Sequence, residues 1–107
     1  MELNGDQVRV VDNPQAQRFE AHVGPYLAVA EYERHGTAIV FTHTEVPAPI
    51  EGHGIAAQLA RTALEQARAE GLAVIPRCPY IAAYIRRHPE YAALVPPAYR
   101  KREDASE

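Results

Sequence analysis

The sequence is poor in the residues that staple a chain, anchor it or neutralise acids. It holds a single cysteine, Cys78, so an intrachain disulfide framework is excluded and nothing points to an oxidising compartment. Tryptophan is absent, and the one methionine is Met1. Lys101 is the one lysine among 11 basic residues, and 14 acidic residues outnumber them to leave a formal net charge of −3. That balance argues against a general nucleic-acid binder, whose affinity comes from neutralising phosphates with a basic surface. No apolar run approaches the roughly 18 residues a membrane span needs, and the opening MELNGDQVRV has neither the basic start nor the apolar stretch of a secretory leader. The expectation is a soluble, cytoplasmic chain without nucleic-acid or membrane partners, monomeric or weakly dimeric.

What is present suits one domain. The chain has 107 residues, 47% of them hydrophobic, enough for a core without metals or staples. Nine prolines and six glycines cut it into short elements and exclude a long helical bundle. A single domain is expected over residues 1–99, followed by a charged, disordered tail over 100–107, RKREDASE.

Periodicity places the elements. Gln7–Val11 and Arg18–Val23 alternate as strands around an Asp12-Asn13-Pro14 turn, and Gly24-Pro25 leads to a strand over Tyr26–Arg34. His35-Gly36 turns the chain into another strand over Thr37–Val46, which completes an antiparallel meander. After Pro47 and Pro49 the spacing changes. Ile55, Ala56, Leu59, Ala60, Ala63, Leu64 and Ala67 recur at threes and fours, an amphipathic helix that ends at Gly71. Leu72–Ile75 is a buried strand, parallel to Thr37–Val46 because a helical crossover joins the two. Tyr80–His88 is a second helix closed by Pro89, and Glu90–Val95 one further turn before Pro96-Pro97. The fold class is α/β with a mixed sheet: a meander, a strand-helix-strand crossover and a further helix.

The most informative segment is Glu51-Gly52-His53-Gly54-Ile55-Ala56, between a strand and a helix. Glycine lets a ligand approach the backbone, and the first unpaired helix N–H groups carry roughly half a positive charge, which suits a phosphate. Gly52, Gly54 and Ala57 also fit a loose dinucleotide pattern, but the linker Val46–Ile50 separates strand from loop and too little chain follows for a second half-sheet. No Lys-Ser/Thr pair follows the glycines, so a P-loop is excluded as well. His43, His53, Cys78 and His88 lack the spacing of a zinc site, and no metal is expected.

This order of elements, with Gly54 and Ala56 at the loop, resembles the GNAT superfamily of acetyl-coenzyme A dependent acetyltransferases, whose signature is Q/R-x-x-G-x-G/A. Glu51 stands where that family carries Gln or Arg. His43-Thr44-Glu45-Val46-Pro47, Gly52-His53-Gly54-Ile55-Ala56, Cys78-Pro79-Tyr80 and Arg87-His88-Pro89-Glu90-Tyr91 together resemble the small, single-domain GNAT-like N-acetyltransferases over residues 7 to 95. The resemblance implies acetyl-coenzyme A as cosubstrate and an amine of a small molecule or a protein as acceptor. Its diphosphate would lie on the N–H groups of His53, Gly54, Ile55, Ala56 and Ala57. The pantetheine arm would pair with backbone near Thr44 to Val46, and Arg86, Arg87 or His88 would meet the 3′-phosphate, unless they simply form a solvated helix face.

Acetyl transfer needs a neutral amine, a stabilised oxyanion and a proton for the thiolate. Glu45 is the candidate base, or else an ordinary polar strand end; the resemblance, in which a tyrosine often sits on the helix after the second parallel strand, makes Tyr84 the candidate acid, or else it packs between Ile81 and Ile85. His43 shares a face with Glu45 if no bulge intervenes, and is read as a satisfied histidine before a base. Cys78, at a helix N-terminus, could take the acetyl group itself, but a small apolar residue beside a thioester attacked directly in a ternary complex is favoured. The alternative to an enzyme is a non-catalytic coenzyme A or acyl-coenzyme A binding module.

Overall fold

The computed structural model describes residues 8–99. The proposed tail over 100–107 and the first residue of the first expected strand, Gln7, lie outside the described residues. Five strands form one sheet in sequential order, β1 (Arg9–Asn13), β2 (Arg18–Val23), β3 (Tyr26–His35), β4 (Ala38–Glu45) and β5 (Ala73–Pro76). The first four pair antiparallel, and β4 pairs β5 in parallel from Ala38↔Ala73 to Phe41↔Pro76. Helix α1 (Ile55–Ala69) joins β4 to β5, α2 (Pro79–Arg87) follows, and a 3-10 helix over Pro89–Leu94 packs against α2.

Two turns differ from the sequence expectation. Asp12 and Asn13 are paired in β1, opposite Phe19 and Arg18, and the turn falls on residues 14–17. Their side chains explain the shift: Asp12 accepts hydrogen bonds from Tyr32 and Gln66, and Asn13 donates to Glu20, so both are held to the sheet. The β3–β4 hairpin likewise turns at Gly36 and Thr37, with Gly36 at φ 60 and His35 still paired to Ala38. The linker expected over Val46–Ile50 contains a 3-10 turn, Ala48–Ile50, that drives Ile50 fully into the core.

The core lies on one face of the sheet. Strand alternation sends Phe19, Ala21 and Val23 of β2, Ala28, Ala30 and Tyr32 of β3, Ile39 and Phe41 of β4 and Val74 of β5 toward α1 and α2. Helix α1 answers with Ile55, Leu59, Ala60, Ala63, Leu64 and Ala67, and the three alanines let its axis settle close to the strands. Each buried Leu or Ile stabilises the fold by about 1.5–3 kcal/mol. The opposite face of the sheet has no helix over it among the described residues, and carries Glu20, His22, Val29, Glu31, Glu33 and Val40.

Candidate functional site

One residue decides which way the end of β4 faces. Tyr32 pairs Phe41 and the preceding Glu31 pairs His43, so Thr42 is an extra residue, a β-bulge whose hydroxyl donates to the Glu31 carbonyl. Without the bulge, Phe41, His43 and Glu45 would share the buried face. With it, alternation restarts: Thr44 turns inward, while His43 and Glu45 turn out to the open face, with side chains 54% and 71% exposed. The bulge precedes His43, so His43 and Glu45 do share a face, with Nε2 3.1 Å from Oε1.

The same stretch of β4 loses its parallel neighbour. Pairing with β5 ends at Phe41↔Pro76, the Cys78 N–H bonds the Phe41 carbonyl at 2.8 Å, and the chain then turns into α2 with Pro79 in its first turn. Pairing with β3 meanwhile runs on to Glu45↔Val29. Backbone of β4 beyond Phe41 therefore has no strand on its β5 side. Thr44 Oγ1 and Cys78 Sγ meet across this parting at 3.3 Å, on the helix-covered face.

A cleft opens beside it. Val46, Ile50, Glu51, Gly52, Gly54, Ile55, Ala56, Ala57 and Tyr80 line a solvent-continuous space of about 390 Å³. Gly52 and Gly54 hold φ 84 and 75, in the left-handed region that other residues enter at a cost, and a Cβ at either would meet no atom within 4 Å. Both glycines thus turn an open backbone surface outward. Gly54 caps α1 without a side-chain bond, and the Gln58 N–H is the first to reach an intrahelical acceptor, the Gly54 carbonyl. The N–H groups of Ile55, Ala56 and Ala57 are left for an outside acceptor. These features fit a diphosphate: unpaired N–H groups, the positive end of a 15-residue helix and a cleft beside them.

The residues singled out in the sequence are dispersed around this cleft. Val46, Gly54, Ile55, Ala56 and Ala57 line it, His53 is exposed at the tip of the loop, and Thr44 and Cys78 sit beneath, Cys78 only 2% exposed. Glu45 lies on the other face of the sheet from Cys78. Tyr84 is buried one turn deeper in α2 than the cleft wall, stacked on His88 at 4.0 Å. Burial, first, and then Glu90 and Glu65 push its hydroxyl pKa up, against the lowering effect of Arg61. His88 uses Nδ1 to bond the Tyr84 carbonyl at 2.9 Å, closing the C-terminal turn of α2, and Arg87 is exposed beside it.

Tyr80, quoted from the sequence only as part of the Cys78-Pro79-Tyr80 motif, lines the cleft without having been assigned a role. It is half-buried in the wall, and burial, then the neighbouring Tyr84 and Cys78, push its pKa up, with Arg87 pulling the other way. Its hydroxyl therefore keeps its proton at neutral pH. A signal was available: Pro79 favours the first helical position, which puts Tyr80 in the turn that faces the loop and Tyr84 a full turn behind it. Among the described residues no group of three metal-ligating side chains occurs, and no helix is long and apolar enough to cross a membrane.

A sheet whose parallel strands part beside a glycine loop and a helix N-terminus defines a class. The chain belongs to the GCN5-related N-acetyltransferase family, whose model matches residues 18–94. Among curated proteins it is 36% identical over 88 residues to Protein NATD1 of Mus musculus, covering 79% of this chain and 80% of that protein. It is 43% identical over 63 residues to Protein NATD1 of Gallus gallus and of Homo sapiens, which covers 58% of this chain and 57% and 56% of theirs.

Proposed function

We propose that this chain binds acetyl-coenzyme A in the loop cleft and transfers its acetyl group to an amine of a small molecule or a protein. The observation that carries the reading is the parting of β4 from β5 directly beside the open glycine loop and the unpaired N–H groups of α1. The backbone N–H groups of residues 54–57 would hold the diphosphate, and Val46, Ile50 and Tyr80 would flank the pantetheine arm. Coenzyme A supplies the activated thioester. The protein supplies orientation, the proton-bearing Tyr80 hydroxyl at the cleft wall and the His43–Glu45 pair across the sheet. Cys78 is buried and bonded to Thr44, which favours direct attack by the amine over acetylation of the thiol. The single free thiol and the absence of a long apolar helix among the described residues support a cytoplasmic setting, and the net charge of −3 supports an acceptor other than nucleic acid. As a small domain it would act as a monomer or weak dimer.

Calorimetric titration with coenzyme A and with acetyl-coenzyme A tests the reading, and binding of both is expected. No heat with either removes it. Thiol release against a panel of amines then separates the enzyme from a binding module: tight binding with no release across the panel would favour the module.

A further inference from the structure

We propose that His43 takes the acceptor's proton on the open face of the sheet, and that Glu45 serves to fix and charge-balance its ring. The inference rests on the acetyl-transfer reading and assigns the base within that same site. The bulge at Thr42 sets the geometry, turning both side chains outward where β4 has lost its β5 neighbour. His43 Nε2 lies 3.1 Å from Glu45 Oε1, and a carboxylate can only accept, so Nε2 carries the hydrogen and the Nδ1 lone pair is left for a proton. Glu45 is already engaged as the acceptor of the bond from His43, which leaves the ring's second nitrogen as the open site.

The groups that face His43 fit an incoming ammonium. Glu31 is its direct cross-strand partner on β3 and, among the described residues, its carboxylate has no hydrogen bond or ion pair. Arg18 of β2 stands opposite Glu31 but is committed to Glu20 through Nε at 2.8 Å, and Asn13 of β1 ends the row, bonded to Glu20 as well. Arg77 follows β5, one residue past the Phe41–Pro76 pair. The helices α1 and α2 pack on the other face. An acceptor drawn toward Glu31 and Glu45 arrives as R–NH3⁺, which has no lone pair and must lose a proton before it can attack. Nδ1 receives that proton, and Glu45 balances the imidazolium. The amine nitrogen then bonds to the acetyl carbon, the carbon–sulfur bond breaks, and the second nitrogen proton ends on the departing thiolate. His43 returns its proton to water.

Two measurements test this, one without turnover. Long-range 15N–1H correlation spectra of the free chain should show His43 as the Nε2–H tautomer at neutral pH, and Glu45→Gln should mix the tautomers. A dominant Nδ1–H form in the wild type would overturn the assignment. In steady-state assays, His43→Gln should lower kcat at least 100-fold, the lower end for a lost general base, and remove the acid limb of the pH profile while leaving coenzyme A affinity unchanged. Added imidazole should restore part of the rate. Glu31→Gln should raise the acceptor KM several-fold with little change in kcat. Wild-type turnover paired with an unchanged pH profile in His43→Gln, or a larger loss in Glu45→Gln than in His43→Gln, sinks this inference alone. Coenzyme A binding without thiol release by the wild type would instead remove the acetyl-transfer reading beneath it.

Discussion

The two ends of α1 are built on opposite plans. At its C-terminus every feature ties the helix down. Gly71, at φ 69, lets the Leu72 N–H reach the Ala67 carbonyl at 2.9 Å and its own N–H reach Arg68 at 3.1 Å, the paired bonds of a Schellman cap. One turn earlier Glu65 accepts a bond from the Tyr91 hydroxyl at 2.7 Å and pairs with Arg68, whose guanidinium lies 5.2 Å from the centre of the Tyr91 ring. At the N-terminus almost nothing is tied. Gly54 offers no side-chain cap, the first turn holds no acid, and residues 51–54 are exposed. No side-chain oxygen satisfies any of these first N–H groups. A bare end opposite a saturated one suits the proposed role of the N-terminus as a ligand seat, with the helix as a rigid mount.

The matched glycines test the contrast. Gly54 and Gly71 hold nearly the same φ, and a Cβ at either meets no atom within 4 Å, so Gly54→Ala and Gly71→Ala should lose similar stability, about 1–2 kcal/mol each. Their ligand affinities should diverge. Gly54→Ala puts a methyl group on the surface proposed to receive the diphosphate and should weaken coenzyme A binding at least tenfold, or about 1.4 kcal/mol. Calorimetry beside a thermal melt reads both quantities, and equal affinity in Gly54→Ala and the wild type would break the comparison. Gly71→Ala is the smaller effect, a lower melting temperature with unchanged affinity. A tenfold affinity loss there would show that the two ends are not separable.

The sequence made the covered half of this molecule legible and left the cleft blurred, for identifiable reasons. The α1 stripe from Ile55 to Ala67 and the stop at Gly71 need only a period of 3.6 and a left-handed glycine. The glycine loop, alone of the cleft's parts, was legible for a different reason, since it announces itself by composition. Tyr84 drew attention over Tyr80 because the resemblance puts a tyrosine on the helix after the second parallel strand, whereas lining the cleft depends on where Pro79 starts that helix. Asp12 and Asn13 look like turn residues until Tyr32, twenty positions away, and Glu20 engage them. The bulge at Thr42 has no local signature. It arises where β3 must pair β4 on a shifted register, and it alone decides that Glu45 and Cys78 look to opposite faces.

The smallest effect expected is also the sharpest check on the tied end. Tyr91→Phe keeps the ring under Arg68 and removes only the hydroxyl bond to Glu65, a small loss of stability at neutral pH. Its signature is in the pH dependence. Burial, and then the bond to Glu65, push the Tyr91 hydroxyl up to about 12. A pKa raised on folding adds stability that is whole below the unfolded value of about 10 and is lost as pH climbs through 12. The Glu65 carboxyl shifts the other way, held below its usual value of 4.5 chiefly by the same hydroxyl and then by Arg68. Its contribution is present above that value and fades as pH falls beneath it. Melting temperatures across pH should therefore show the wild type losing more than Tyr91→Phe at both extremes, with coincident coenzyme A affinities at neutral pH. Parallel melting curves would mean that the hydroxyl holds nothing, and a fall in affinity would mean that the tied end of α1 reaches the cleft after all.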